Sequence, residues 1–302
     1  MLMVFTTAYR AGLGYLPAFL SGLAEQTDSD FHLIVAVDDV EDAELAPYLT
    51  AAGPDLAART ATHRAEHAAD HVALRQEVLL RTVPGTSGVV LMDSDDVPLP
   101  TRVAAARAAL AKAEVAACAL ELTDEAGTPT GGRFGTEPID DWASVLARSN
   151  VVGFGNAAYR SEVLLDCLPA PAGTRLLDWL VAVRALASGA HLTIDPTPRA
   201  RYRLHGASSA GVTRPFTEAQ LLKATALVAN HYALALSPMP SGRALPPGLR
   251  ALIELAAADL REFQERVIAD EAERNAYLNA LNADPRVFRW WEWLDSRRQE
   301  AT

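Results

Sequence analysis

The sequence predicts an α/β protein with a mostly parallel sheet flanked by helices, followed by a C-terminal helical extension. Three observations support this class. Short apolar runs typical of buried strands alternate with longer segments of helical spacing. Two of these runs end in aspartates, at the strand ends where open α/β sheets bind their ligands. After Pro215 the alternation stops, and helical patterns continue almost to the end of the 302 residues.

The N-terminal half shows the alternation most clearly. Apolar runs predict strands at residues 2–7, 31–39 and 88–93, and a weaker run predicts another near 57–62. The segments after these runs have helical spacing, and the helix that follows 88–93 is predicted to start at Pro100 and Thr101. The other helices of this half are predicted near 16–23, 41–53 and 70–82.

The second half is less regular. Strands are predicted at 115–124, at the glycine-interrupted segment 150–160, and at 199–205, where apolar and arginine residues alternate. Residues 125–135 are predicted to be an exposed loop, and residues 175–189 a helix capped by Gly189. We place the boundary between the sheet-containing domain, residues 1–212, and the helical extension, residues 213–302, in front of the final helical stretch.

Composition narrows the classes of function. A net charge of −11 argues against a general nucleic-acid partner, because phosphate binding needs a basic face. The sequence contains neither an apolar run long enough to span a bilayer nor a secretory leader, which predicts a cytoplasmic location. Cys118 and Cys167 lie in apolar contexts and are expected to be buried free thiols.

Aspartates gather at the ends of two predicted strands: Asp38 and Asp39 on one, and Asp93, Asp95 and Asp96 on the other. Like charges this close repel each other, so a buried cluster is tolerated when a cation offsets it. Carboxylate oxygens select hard divalent ions, which predicts a Mn²⁺ or Mg²⁺ site completed by water and substrate phosphates. The alternative is that these aspartates cap the following helices and face solvent.

The segment VVLMDSDDVPLPTRV, residues 89–103, resembles the DxD region of the family 2 glycosyltransferases. A bare DxD is a weak signal, but its companions occur in the family's order. They are the opening strand, turn and helix, an arginine-containing helix, the helix of the catalytic Asp, and the closing Tyr-Arg-x-His-x-x-Ser, at residues 4–39, 73–80, 176–190 and 202–210. The resemblance covers roughly residues 3–212 and implies a Rossmann-like GT-A fold with a mixed, mostly parallel sheet.

The resemblance implies a nucleotide site at the start of the chain. Thr7 and Tyr9 would line the base pocket, Asp39 would contact the nucleobase, and Arg75 would hold the nucleotide. The alternative is that Tyr9 and Arg75 are surface residues without a role in binding. The sequence departs from the family here, because no serine follows Asp39 and Gln76 replaces the usual asparagine.

The same resemblance implies the metal ligands. Asp95 would be the principal ligand of Mn²⁺ or Mg²⁺, Asp93 would contact the ribose or the metal, and His205 would support the metal or the diphosphate. A purely structural histidine is the alternative for His205.

Asp178 matches the general base of the family. The family commonly has a Glu-Asp pair at this point, whereas this sequence has Leu177 before Asp178. A single acid still suffices as a base. The alternative is a helix-face acid paired with Arg175 or Arg184.

Two further contacts are predicted from residue type. Arg201 or Arg203 would add hydrogen bonds to the donor phosphates, and we assign this role to Arg203; a solvated strand face is the alternative. The glycine-rich segment around Asn156 would let the backbone approach the sugar or the acceptor, with Asn156 itself in contact.

The implied activity is a metal-dependent, inverting, hexosyl-type transfer from a nucleoside diphosphate sugar to an acceptor hydroxyl. A UDP-sugar is favoured, and the acceptor would be a sugar, a lipid-linked molecule or a small molecule, as in polysaccharide or glycoconjugate biosynthesis. Two alternatives remain. One is a non-catalytic homologue that binds nucleotide or carbohydrate, and the other, a sugar nucleotidyltransferase, normally has a glycine-rich basic loop and a catalytic lysine that this sequence lacks.

The C-terminal segment RVFRWWEWLDSRR, residues 286–298, combines aromatic and charged residues. Val287, Trp291 and Leu294 fall on one stripe if the segment is helical. We expect this stripe to dock on the catalytic domain or to close a homo-oligomer, with a membrane surface or another partner as the alternative.

Overall fold

A computed structural model describes residues 1–205 and 211–294 of the chain. The serine of the closing motif and the last residues of the aromatic segment therefore lie outside the described residues. The strands are β1 (Leu2–Tyr9), β2 (Phe31–Asp38), β3 (Thr60–His63), β4 (Gly88–Leu91), β5 (Val97–Pro98), β6 (Val115–Thr123), β7 (Pro129–Phe134), β8 (Ala157–Arg160) and β9 (Leu192–Arg203).

These strands form one mixed sheet in the order β3-β2-β1-β4-β8-β6-β9-β5, with β7 paired to β6. The first four strands in this order are parallel, so β1, β2 and β4 end at the same edge. Strand β8 runs antiparallel to both β4 and β6 and joins the two halves. The predicted α/β class with a mixed, mostly parallel sheet is confirmed.

Helices cover both faces of the sheet. They are α1 (Leu16–Ala24), α2 (Asp42–Ala51), α3 (Pro54–Ala58), α4 (His71–Thr82), α5 (Arg102–Leu110), α6 (Trp142–Arg148), α7 (Ser161–Cys167), α8 (Leu177–Ala187), α9 (Glu218–Ala235), α10 (Pro247–Phe263) and α11 (Glu271–Ala283). A π-helical turn, Gln264–Ile268, joins α10 to α11. No helix within the described ranges is long and apolar enough to cross a membrane.

The apolar runs of the central strands are continuous because both faces of the sheet are buried. Along β1, Leu2 and Val4 pack in one hydrophobic cluster, whereas Met3 and Phe5 pack in the other. Residues of α1, α2, α3 and α5 complete the first cluster, and residues of α4 and α6–α11 complete the second. Both sides of the sheet therefore hold the ends of β1, β2 and β4 in place.

Several boundaries differ from the sequence predictions. The expected loop at 125–135 contains strand β7, an edge strand exposed over most of its length, so it has no apolar alternation to reveal it. In the expected strand at 150–160 only Ala157–Arg160 is paired as β8, because residues 151–156 form an irregular turn. Strand β9 begins at Leu192 rather than at 199, and register shifts in its pairing with β6 accommodate the intervening prolines.

The C-terminal extension packs against the sheet-containing domain. Helix α10 contacts α6, helix α9 contacts α8, and all three terminal helices share a hydrophobic cluster with the sheet. The expected helix with Val287, Trp291 and Leu294 on one stripe is wrong: within the described residues 284–294 the chain is irregular, and Trp291 has φ of 71°. The aromatic side chains are nevertheless buried, so the segment docks on its own chain, which was one of the two expected arrangements.

Gly153 packs closely against Trp290 of this docked segment. A Cβ atom on Gly153 would lie 2.6 Å from the Trp290 indole, which itself packs 4.1 Å from the Phe134 ring centroid. Gly153→Ala should therefore lower the free energy of unfolding by about 1–3 kcal/mol, as overpacked core sites do. Chemical denaturation measures this change. Gly248→Ala, at a helical glycine with no atom within 4 Å of the added carbon, is the matched control and should not destabilise the protein.

Candidate active site

A cavity of about 430 Å³ opens at the edge where β1, β2 and β4 end. It brings together eight of the ten site residues predicted from the sequence: Thr7, Tyr9, Arg75, Asp93, Asp95, Asp178, Arg203 and His205. Their common position follows from the sheet, because parallel strands deliver their carboxyl ends to one edge.

Arg75 links the first and fourth strands of the chain at the floor of this cavity. Its Nε donates to Thr7 Oγ1 at 3.0 Å, and its Nη2 donates to Asp93 Oδ1 at 2.9 Å. The guanidinium also lies 4.5 Å from the ring centroid of Phe154. Burial raises the pKa of Asp93 above its ordinary value, and the charge of Arg75 opposes this shift while that of Asp95 adds to it. Arg75 is thus an internal bridge rather than a surface residue.

Asp95 has two polar neighbours in the cavity. Tyr9 Oη donates to Asp95 Oδ2 at 3.2 Å, and His205 Nε2 lies 3.0 Å from the same oxygen. Burial opposes the charge of Asp95, but the hydrogen bond and charge of His205 hold the pKa of this carboxyl below its ordinary value. The His205 side chain is 6% exposed, so the imidazole is directed inward to the acidic cluster.

Asp96 differs from the other two aspartates of the cluster. It is 3% exposed, and its Oδ1 accepts from the backbone N–H of Arg203 at 2.9 Å. Its Oδ2 has no hydrogen-bond partner among the described residues, and burial followed by the charges of Asp95 and Asp93 raises its pKa well above the ordinary value. A Cβ on Gly155 would lie 2.6 Å from that oxygen, so glycine is needed there.

Arg203 braces the loops around the acidic cluster. Its Nε donates to the carbonyl of Asp95 at 2.9 Å, and its Nη1 donates to the carbonyl of Glu125 at 2.7 Å. The guanidinium stacks 4.9 Å from the ring centroid of Tyr15. Arg203 also lines the cavity, whereas Arg201 pairs with Glu121 at 3.1 Å outside it. Of the two arginines, Arg203 remains the predicted phosphate contact.

Asp178 lies in the first turn of α8 and lines the cavity. Burial raises its pKa to about 6. Asn150 Nδ2 donates to Asp178 Oδ2 at 3.1 Å. The arginines considered as alternative partners are engaged elsewhere: Arg175 pairs with Asp70 at 3.0 Å, and Arg184 donates to two backbone carbonyls. A half-buried carboxyl with a raised pKa, facing a cavity, is typical of a general base.

Two residues that were predicted to contact a ligand, Asp39 and Asn156, do not line the cavity. The Asp39 side chain is 83% exposed and pairs with Arg10 at 3.4 Å, while Asp38 lines the cavity instead. The predicted acceptor contact of Asn156 is wrong, because Asn156 is 0% exposed. Its amide donates to the carbonyls of Cys118 and Val151, and its Oδ1 accepts from the Gly153 N–H, so it holds the turn together.

The structure adds cavity residues to which the sequence assigned no contact. Asp38 and His71 line the cavity, and Trp290 and Trp291 reach it from the C-terminal segment. The aromatic cluster RWWEW was visible in the sequence, but only the fold brings it to the site. Asn150, which holds Asp178, had no sequence signal.

Asp95 and His205 are the residues that fit a divalent ion. Neighbouring ligand atoms of an octahedral ion with bonds of about 2.1 Å lie about 3 Å apart, and Asp95 Oδ2 and His205 Nε2 are 3.0 Å apart. No cluster of three or more His, Cys, Asp or Glu side chains arranged to hold a metal ion is found within the described residues. An ion held by Asp95 and His205 would take its remaining ligands from water and diphosphate oxygens.

Together, the sheet, the helices and the acidic edge define the GT-A glycosyltransferase fold. Residues 1–349 of S. aureus TarS, solved with UDP-GlcNAc, match with a TM-score of 0.62 at 15% identity, over 92% of this chain and 78% of that one. The mannosyltransferase PcManGT from Pyrobaculum calidifontis, solved with GDP-Man and Mn²⁺, matches with a TM-score of 0.57 at 16% identity, over 93% and 79%. No protein family and no curated protein matches the sequence.

Proposed function

We propose that this protein is a metal-dependent, inverting glycosyltransferase that transfers a sugar from a nucleoside diphosphate sugar to an acceptor hydroxyl. The observation that supports this most is that one cavity is lined both by the pair Asp95–His205 and by Asp178. A divalent-ion site and a separate carboxyl with a raised pKa are the two components that such a transfer needs.

Asp95 and His205 would hold Mn²⁺ or Mg²⁺, with Asp93 beside them at the ribose or the ion. When bound, the ion stabilises the negative charge that develops on the diphosphate leaving group. The use of Mn²⁺ is supported by PcManGT, which was solved with GDP-Man and Mn²⁺. Arg203 would add charge-assisted hydrogen bonds to the phosphates.

Thr7, Tyr9 and Arg75 would form the nucleotide pocket. The cavity wall beside them contains Asp38 and His71. Asp38 now fits the nucleobase contact better than Asp39, because Asp39 points to solvent. A UDP-sugar is the favoured donor, in line with the UDP-GlcNAc and UDP complexes of TarS.

Asp178 would act as the general base. The acceptor oxygen forms a bond to the anomeric carbon as the bond from that carbon to the diphosphate oxygen breaks, and its electron pair leaves with the nucleoside diphosphate. The acceptor proton passes to the Asp178 carboxylate. Leu177 is 3% exposed and packs in the hydrophobic core, so an apolar residue suits this position and Asp178 is the single acid there. The acceptor would be a sugar, a lipid-linked molecule or a small molecule.

Thermal shift with nucleoside diphosphates tests the donor site and its metal. UDP, GDP and ADP are added with Mn²⁺ or with EDTA. At least one nucleotide, with UDP expected first, should raise the melting temperature only when Mn²⁺ is present, because binding to the native state stabilises it by mass action. Release of the nucleoside diphosphate from UDP-GlcNAc, GDP-Man and other UDP-sugars should stop with EDTA and return with Mn²⁺.

The competing function is a non-catalytic homologue that binds nucleotide, and Leu177 in place of an acid is the feature that favours it. Nucleotide binding without release from any donor would support this alternative and contradict transfer. Production of pyrophosphate from a nucleoside triphosphate would instead support a sugar nucleotidyltransferase.

A further inference from the structure

Asn150 is a buried polar residue in direct contact with the proposed base. It lies just after α6 and is 0% exposed. Its Nδ2 donates to Asp178 Oδ2 at 3.1 Å. A buried amide aimed at a half-buried carboxyl in the cavity wall is a costly arrangement unless the hydrogen bond is maintained.

The orientation of the Asn150 side chain is determined by its other atom. Asn150 Oδ1 accepts from the backbone N–H of Val152 at 2.9 Å. A backbone N–H donates, so the oxygen of the amide must face Val152 and the nitrogen must face Asp178. The amide can therefore present only a donor to the carboxyl, and it favours the charged form of Asp178.

The backbone of Asn150 is fixed by the C-terminal segment. Its N–H donates to the carbonyl of Trp290 at 2.9 Å, in an isolated antiparallel bridge between the two residues. The Trp290 ring is held by Phe134 at 4.1 Å and by Tyr202 at 5.9 Å between ring centroids. Because these contacts fix the backbone of Asn150, its side-chain amide has little freedom to turn away from Asp178.

We infer that Asn150 is a positioning residue that holds Asp178 in its ionised form and directs the carboxyl to the acceptor hydroxyl. This inference rests on the proposed transferase function. The other groups that act on Asp178 are the backbone N–H groups of Trp179 and of Asp178 itself and the charges of Asp93 and Arg75. Among these groups, Asn150 is the one that donates from a side chain. A carboxylate at the same position would repel the charge of Asp178, whereas the amide of Asn150 stabilises it.

Asn150→Asp separates this role from a structural one. The aspartate keeps an oxygen for the Val152 N–H but replaces the donor to Asp178 with a second carboxyl oxygen. Loss of a hydrogen bond to a buried charge should lower kcat by about tenfold to a hundredfold. The acid limb of the kcat profile should move up by about one pH unit, because two adjacent carboxyls cannot both ionise easily. The KM for the donor should stay within about twofold.

Asn150→Ser is the second variant, because serine can still accept near Val152 but is too short to reach Asp178. Asn282→Asp is the matched control: Asn282 bonds the backbone of Phe216 through both amide atoms, outside the cavity. It should leave kcat and its pH profile unchanged while showing the stability cost of the same substitution.

These measurements use the donor that the wild-type full chain turns over in the panel described above. A kcat and an acid limb in Asn150→Asp and Asn150→Ser equal to those of the wild type would overturn the inference. Absence of turnover in the wild type would instead count against the proposed function. In that case the Asp178 carboxyl is followed by ¹³C NMR in the wild type and in Asn150→Asp, and an unchanged midpoint rejects the role of Asn150.

Discussion

Replacing Asp95 with asparagine is expected to abolish metal-assisted donor binding. Asp95 Oδ2 contacts both His205 Nε2 and Tyr9 Oη, so it lies at the centre of the polar wall of the cavity. An amide has the same shape but no charge, and hard divalent ions prefer anionic oxygen. Even residues that only support a metal ligand typically contribute about 10- to 100-fold in affinity or activity, so loss of the ligand itself should exceed a hundredfold.

The measurement is the thermal shift produced by UDP with and without Mn²⁺. In Asp95→Asn the Mn²⁺-dependent part of the shift should disappear, and release of the nucleoside diphosphate from the donor should fall with it. Asp195→Asn is the matched control, because Asp195 pairs with Arg199 at 2.7 Å away from the cavity and has comparable exposure. A normal Mn²⁺-dependent shift in Asp95→Asn would mean that the ion, if used, binds elsewhere.

Much of the sheet could be predicted from the sequence because β1, β2 and β4 are buried on both faces. Such strands appear as apolar runs, and aspartates marked the ends of β2 and β4. Edge strand β7 and the short helices α6 and α7 had no comparable signal. Helices of seven residues complete only two turns, so an apolar periodicity cannot develop in them.

Of the ten residues predicted for the site, the two that do not line the cavity are Asp39, in a bend, and Asn156, in a turn. Asp38 is the last residue of β2 and lines the cavity, whereas Asp39 adopts φ of 51° and turns outward. Two adjacent residues thus lie in different environments, Asp38 in the cavity and Asp39 in solvent. The Asp-Asp sequence alone does not show which of the two enters the cavity. The side-chain amide of Asn156 bonds the backbone of Gly153 and Val151 beside it and that of Cys118 on β6, so it is not available to a ligand.

Contacts between distant segments were beyond the sequence. Asn150 lies 28 residues before Asp178, and its backbone partner Trp290 comes from the C-terminal extension. The fold creates both contacts by bringing the end of α6, the start of α8 and the C-terminal segment to the same wall. The extension outside the family resemblance therefore contributes to the site, and whether it also mediates a homo-oligomer remains a prediction.

Replacing Asp178 with asparagine is expected to leave nucleotide binding intact and to remove turnover. The substituted amide cannot take the acceptor proton, and positioned general bases are typically worth about 10² to 10⁴ in rate. The UDP-dependent thermal shift with Mn²⁺ should match that of the wild type, while donor turnover in the presence of acceptor should fall by that factor. Asp166→Asn, at an exposed carboxyl on α7, is the control with the same loss of charge. Near-normal transfer by Asp178→Asn would show that another group is the base.

The raised pKa of Asp178 adds two pH signatures to this prediction. The base must be ionised to work, so wild-type kcat should fall as the pH drops through about 6, the pKa that burial gives this carboxyl. Because the pKa in the folded protein exceeds that in the unfolded chain, ionisation of Asp178 destabilises the fold increasingly as the pH rises from about 4 to 6. Asp178→Asn should therefore melt at a higher temperature than the wild type at pH 8, and the difference should narrow towards pH 4. Asp178→Asn should therefore be more stable than the wild type and inactive. This is the result expected if the carboxyl is kept at this position for catalysis at a cost in stability.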